Sequence, residues 1–353
     1  MFGLSGVGRS HRGRAANRLT VLVSIAAFVV PLSGCGAVTA GESDTVRVYT
    51  GRHYDLEQAF EDFSEETGIS VEFLSGSDAE LRERIAAEGE DTQADVYMTV
   101  DAGNLWKAEQ DGLLTPLDSA RLEEGVPEGL RDPEGHWYGL SMRARTVMYN
   151  PDEVDPGEFS AEDTYAQLAE SAWKGRLCMR NSTNSYTQSL VASLIDNHGE
   201  RRAREIVGGW VDNDVEIINN DVRILENVDA GTCDVAITNH YYLARLLADD
   251  GDLSVRPFWA NQDGRGTHVN ISGAGVLAEA DHPELGRELI EWLATTGQNS
   301  FVDGNHEYPV NPEVDPEPII AEFGEFDYEP IEAEAYGSLN SRAVRLMNEV
   351  GYE

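Results

Sequence analysis

Short apolar runs alternate along this chain with longer stretches in which apolar residues return every three or four positions. The first pattern suits strands buried on both faces, the second helices with one buried stripe. Strands are expected at 46–50, 70–74, 96–100, 138–140, 145–149, 176–180, 215–218, 235–239, 254–258 and 272–278. Helices are expected at 55–67, 78–88, 102–111, 164–171, 186–197, 200–212, 221–229, 241–249, 283–297 and 337–350. Regular alternation of the two types points to an α/β fold. A turn-rich stretch at 114–137, with Pro116, Pro127 and Pro133, precedes a strand that carries the chain into a second lobe. The chain returns near 270–275, and residues 312–331, rich in Pro and Glu, read as a surface excursion joining the lobes. The expected organisation is two lobes, two hinge crossings and a ligand cleft between them. The first lobe takes 45–137 with a return segment of about 268–310, and the second takes 138–267 with about 311–353.

Three strand-to-helix junctions each present a tyrosine. The strand 46–50 exits through Gly51 and Arg52 into His53 and Tyr54, where Asp55 and Gln58 suit an N-cap and capping box for a helix that Gly68 stops. The strand 176–180 and its polar loop 181–185 deliver Tyr186 to the next helix start. The strand 235–239 runs directly into Tyr241 and Tyr242. Adjacent residues at a strand exit point in different directions, so two neighbouring phenols are a poor choice for packing alone. In open α/β sheets ligands bind outside the carboxyl ends of the strands, which makes these side chains candidates for one site. The other aromatics read as packing: Tyr49, Tyr97 and Tyr149 within strands, and Trp137, Tyr138, Trp259 and Trp292 in the core. His240 points away if both its neighbours point in, His268 is a hinge contact, and Asp101 caps the helix 102–111.

The ends and the composition narrow the class. Arg9, Arg12, Arg14 and Arg18 precede an apolar run, 19–32, that is too short to span a bilayer as a mature helix. The run ends in Leu32-Ser33-Gly34-Cys35, the pattern of a bacterial lipoprotein signal cleaved before Cys35, with that thiol acylated. An ordinary cleaved signal with a chance cysteine is the alternative. Residues 1–34 are then leader and 35–44 a tether. Without the four arginines of a leader that contains no acid, 22 basic residues face 64 acidic ones, a formal net charge of −42. So acidic a surface excludes nucleic acid as a partner. A hydrophobic fraction of 41% supplies a globular core, so the acidity marks a charged surface and not disorder. Cys178 and Cys233, the two thiols of the mature body, form an even pair in an exported chain and suit a disulfide; two buried free thiols are the alternative. No CxxC or paired-histidine spacing suggests zinc.

Several motifs together resemble a family. Arg52-His53-Tyr54-Asp55, the runs 99–103, 139–145, 184–186 and 264–272, Asn239-His240-Tyr241-Tyr242 and the run 308–312 are similar to the ferric-ion-binding periplasmic proteins. These are substrate-binding subunits of iron(III) ABC importers, related in form to transferrin lobes. The resemblance spans the mature chain, and the Tyr-Tyr pair with the upstream His-Tyr is its specific part. It implies a two-lobed periplasmic-binding-protein fold of type II and no enzymatic activity. It implies Fe(III) as transported ligand, a synergistic anion on the metal, and metal ligands His53, Tyr54, Tyr186, Tyr241 and Tyr242. It also implies a monomer, anchored outside the cytoplasmic membrane by its lipid and served by ABC permease and ATPase subunits.

The chemistry agrees with that ligand set. Fe(III) is hard and highly charged and prefers anionic oxygen; a bound trivalent metal strongly favours the ionised form of a phenol. A softer or divalent ion calls for Cys, several His or carboxylates. Four phenolates outweigh the trivalent ion by one negative charge, so a cation is expected nearby. Arg52, Arg143 and Arg145 are the candidates, as partners of the phenolates or as anchors for a small anion. The alternative ligand for such a fold is an organic cation or an oxyanion, such as thiamine or a polyamine, with the aromatics stacking on it. A secreted hydrolase using His53 and Ser185 is a further alternative, but nothing places an acid or an oxyanion hole, and no GxSxG, HExxH or P-loop pattern occurs.

Overall fold

The structure, a computed structural model, describes residues 44–52, 56–251 and 253–353. The leader, Cys35, most of the tether, and His53, Tyr54 and Asp55 lie outside the described residues. Ten strands are present: β1 Thr45–Thr50, β2 Ser70–Ser75, β3 Val96–Thr99, β4 Tyr138–Tyr149, β5 Leu177–Arg180, β6 Glu216–Ile218, β7 Val235–Asn239, β8 Arg256–Phe258, β9 Val269–Val276 and β10 Tyr308–Pro309. They join in the order β2-β1-β3-β9-β4-β7-β5-β6, with β8 and β10 both paired to β4. β1 is parallel to β2 and β3, and β5 is parallel to β6 and β7. β9 is antiparallel to both β3 and β4, so β4 runs in the direction of β3. β7 runs against β4. The carboxyl ends of the two parallel sets therefore point toward each other, which is where ligands meet such sheets.

β4 is the joint between the two sets. Its residues Tyr138–Ala144 pair with β9, and Arg145–Tyr149 pair with β7. The sequence pattern suggested two short strands here, 138–140 and 145–149. One strand of 12 residues forms instead. The apolar pattern breaks because Ser141, Arg143 and Arg145 are polar, yet all three are buried and matched by buried partners.

Apolar side chains gather into separate cores on either side of this joint. One holds Val46, Phe60, Phe63, Tyr97, Trp137 and Trp292. Another holds Trp173, Trp210, Leu190 and Tyr352, and a third, smaller one holds Met148, Ile224 and the Cys178–Cys233 pair. The helix Ala333–Val350 starts four residues before the expected 337; Ala335 and Tyr336 sit in the first core, and Ala343, Leu346 and Met347 in the second.

Elsewhere the departures from the sequence reading have local causes. The helix expected at 283–297 ends at Leu293, and a second helix, Gln298–Asp303, follows it. Gly297 lies under the Trp292 ring, where a Cβ would stand 2.1 Å from Cζ3. The helix at 164–171 stops at Gln167, and the turn-rich stretch 114–137 contains the helix Ala120–Gly125, capped by the Ser119 hydroxyl. Gln58 bonds Asp62 at 2.8 Å. Residues 312–331 are not wholly a surface excursion, because Glu329 is 4% exposed and holds Ser193, Asn197 and His268. Cys178 and Cys233 are disulfide-bonded with Cα atoms 5.9 Å apart, fastening β5 to the approach of β7.

Candidate metal centre

Two of the expected tyrosine junctions converge. The helix Ser185–His198 begins beside β5, and the Asn184 side chain accepts the N–H groups of Tyr186 and Thr187 at 3.0 and 3.3 Å. That cap fixes the first turn and with it Tyr186. The helix His240–Asp250 starts immediately after β7, which puts Tyr241 and Tyr242 in its first turn. The Tyr241 hydroxyl donates to the Tyr186 hydroxyl at 3.2 Å, and the rings of Tyr241 and Tyr242 lie 4.2 Å apart. Tyr241 is 1% exposed, whereas Tyr186 and Tyr242 are half-buried.

Tyr186 and Tyr242 face a cleft of about 510 Å³. Gly51, Asp78 and Asn104 line it from the first parallel set, and Arg180 and Asn184 from the second. Gly51 is the exit of β1, so that junction opens on the same cleft. A side chain at Gly51 is excluded, since a Cβ there would meet the Asp78 carboxylate at 1.6 Å. His53 and Tyr54, which follow it, lie outside the described residues.

The three arginines are buried behind the tyrosines. Arg52 donates to Glu307 at 2.7 Å and to the Phe301 carbonyl at 2.6 Å, with its guanidinium 4.0 Å over the Phe301 ring. Arg143 donates to Ser272 Oγ at 2.7 Å and to the Val100 carbonyl, and its guanidinium sits 5.4 Å from the Tyr186 ring. Glu307 lies between them, 3.9 Å from Arg143. Arg145 reaches Asp221 at 3.5 Å, Asn239 Oδ1 at 3.3 Å and Thr187 Oγ1 at 3.5 Å, so it ties together the starts of both tyrosine-bearing helices. Arg180 shares Asp221.

Burial sets the protonation of these groups, and charge modifies it. Burial pushes the Tyr186 phenol up, and the Arg143 guanidinium pulls it partly back. Burial and the neighbouring phenols Tyr186 and Tyr242 hold Tyr241 well above the usual phenol range. The pair is thus neutral at pH 7. Burial pushes the Glu307 carboxyl up, but Arg52 and Arg143 outweigh it and keep it below the usual carboxylate range. Burial, with Asp101 nearby, pushes Asp78 up to about 7. His240 is fully buried, its Nδ1 accepting the Ala144 N–H at 3.2 Å, and burial lowers it to about 4.

Sequence reasoning missed Glu307, Asp221 and Asp78. Asp221 was legible only as the start of a helix, and Glu307 carried no signal, since Arg52 lies 255 residues away. Asp101 accepts the Asn104 N–H as the cap of the helix Ala102–Gln110.

The profile of the bacterial extracellular solute-binding proteins matches residues 91–323. The chain belongs to this family. It is 40% identical over 338 residues to iron uptake protein A1 of a Synechocystis strain, covering 91% of this chain and 93% of that protein. It is 28% identical over 277 residues to the major ferric iron-binding protein of Neisseria meningitidis serogroup B, covering 76% and 82%. Among solved structures, the Trichodesmium protein IdiA, or FutA, in complex with iron and citrate superposes with a TM-score of 0.81 at 41% identity, covering 88% of this chain and all of that one. Apo FutA2 from Synechocystis gives a TM-score of 0.80 at 39% identity, again over 88% of this chain and all of that one. The described residues contain no helix long and apolar enough to cross a membrane.

Proposed function

We propose that this protein is a binding subunit, not an enzyme, which captures Fe(III) outside the cytoplasmic membrane and hands it to an ABC permease and its ATPase. The observation that carries the reading is the hydroxyl contact of Tyr186 with Tyr241, with the Tyr242 ring 4.2 Å from that of Tyr241, beside a cleft that Tyr186 and Tyr242 line, and with the Arg143 guanidinium 5.4 Å from the Tyr186 ring. Phenols held neutral by burial give up their protons to a trivalent cation, because its charge outweighs the desolvation that raised them. Three phenolates match the charge of the ion. His53 and Tyr54, two and three residues beyond the cleft-lining Gly51, supply the remaining ligands from the other side. Arg143 balances the surplus negative charge. Arg52 and Arg145 act through Glu307 and Asp221, which hold the arginine layer in place. A small anion completes the shell; the Trichodesmium relative holds citrate with its iron. The relatives named for iron uptake and for ferric iron binding support the choice of ion. Cleavage before Cys35 and acylation of its thiol would keep the monomer at the membrane surface.

The test is ferric loading of the apo protein at neutral pH, followed by a visible spectrum. A phenolate-to-iron band is expected, and it disappears on reduction or acidification as the phenols take back their protons. Tyr241→Phe or Tyr242→Phe nearly abolishes the band, since each removes an anion from the primary site. His53→Ala leaves weaker, still coloured binding, since it removes only a neutral ligand. An absent band in the wild type would overturn the reading and favour an organic ligand. Tyr186, Tyr241 and Tyr242 are expected to take the ion first and His53 and Tyr54 to close on it afterwards; greater damage from His53→Ala than from either phenylalanine change would overturn that order.

A further inference from the structure

We propose that Glu109, Asp132 and His136 form a second metal site, for a divalent first-row cation such as Zn(II), separate from the tyrosine cleft. One ligand atom from each residue lies within 4.8 Å of the other two. None of the three lines the cleft.

Two separate elements build the cluster. Glu109 is on the last turn of the helix Ala102–Gln110. Asp132 and His136 belong to the turn that leads into β4. The Asp132 Oδ2 atom accepts the backbone N–H groups of Glu134 and His136, each at 3.0 Å, so the turn is closed around the carboxylate. Gly135, at φ +79°, allows that closure. The same oxygen lies 2.9 Å from His136 Nδ1. That separation is a hydrogen bond when a proton lies between the atoms. It is also the spacing of two ligands, each about 2.1 Å from one cation, that meet at roughly a right angle. A cation at Nδ1 would take the place of that proton, leaving the imidazole N–H on Nε2.

Glu109 completes the set. Burial and then the Asp132 charge push its carboxyl up, and the nearby His136 draws it partly back. Two carboxylates and a histidine thus stand within 4.8 Å of one another, an arrangement that a divalent cation relieves. Trp137, 4% exposed, adds an indole N–H that makes no hydrogen bond of normal geometry and acts on the Glu109 carboxyl. It is placed to hold the second oxygen of Glu109, as donors around ligating carboxylates do. One imidazole and two carboxylates suit a borderline divalent ion and leave positions for water. Fe(III), which prefers phenolate, is directed elsewhere.

The experiment is calorimetric titration of Zn(II) into the full protein at neutral pH after ferric loading. One equivalent of zinc is expected, taken up with a measurable heat. His136→Ala and Glu109→Gln each weaken uptake by about tenfold or more, in the range seen when metal-site groups are lost. The visible ferric band is unchanged in both. Glu109→Gln alters no backbone contact, so it tests the site even where His136→Ala disturbs the turn. Absence of zinc uptake in the wild type, or zinc binding by both variants at the wild-type affinity, overturns the proposal. The heat of zinc binding is read whether or not the ferric band forms, so failure of the iron reading is told apart from failure of this one.

Discussion

Glu307 and His240 are both buried near the tyrosines, and burial acts on them with opposite outcomes. Glu307 keeps its charge because two guanidiniums face it, Arg52 at 2.7 Å and Arg143 at 3.9 Å. His240 loses its charge because burial outweighs the pull of the Glu307 carboxylate and lowers it to about 4 from an ordinary 6.5. Between pH 6.5 and 4 the unfolded chain therefore takes up a proton that the native protein refuses. Stability is full above pH 6.5 and falls as pH drops through that window, by about 3 kcal/mol at its lower end. His240→Asn keeps an acceptor for the Ala144 N–H without a titrating ring. Thermal melts from pH 7 to pH 4 are expected to fall less steeply for this variant than for the wild type; equal slopes would mean that His240 is protonated in the native state.

Elements place the functional side chains through their ends. Tyr186 and Tyr241 belong to helix first turns that follow strands lying next to each other in the sheet, β5 and β7. The disulfide fastens this pair, closing 55 residues between Cys178 and Cys233. A crosslink over such a loop restricts the unfolded chain by about 4 kcal/mol on the chain-entropy account. Reduction and alkylation, followed by urea denaturation, is expected to show a loss of that order. The loss should also weaken ferric binding, because it loosens the strand ends that hold the two phenols 3.2 Å apart. An unchanged denaturation midpoint would remove the disulfide from the account of stability.

At the scale of the whole molecule, two long strands, β4 and β9, lie between the parallel sets in the sheet, and the helix Ala333–Val350 also reaches both cores. Separate cores on either side of them allow each half to move as a body, which is the condition for hinge closure around a ligand. The proposed order of binding has Tyr186, Tyr241 and Tyr242 take the ion first and His53 and Tyr54 close on it. Ferric loading should therefore reduce the radius of gyration measured by small-angle X-ray scattering. His53→Ala should reduce that change without abolishing colour. Identical scattering of apo and ferric protein would show that closure does not follow binding.

The sequence by itself determined the element types, the α/β class and the two strand-to-helix junctions that carry Tyr186 and the Tyr241-Tyr242 pair. These depend on local signals: apolar runs, helix periodicity, the Asn184 and Asp101 caps, and aromatic residues at strand exits. The pairing of Cys178 with Cys233 was also legible, because only two cysteines remain in the body of the chain. Tertiary structure alone decided that β4 is continuous, since Ser141, Arg143 and Arg145 look like a break until their buried partners are known. It decided which charges stand behind the phenols, because Glu307 is brought to Arg52 across 255 residues. A buried ion pair leaves no periodic trace in a sequence: its stability depends on the distance between two groups that local patterning does not relate.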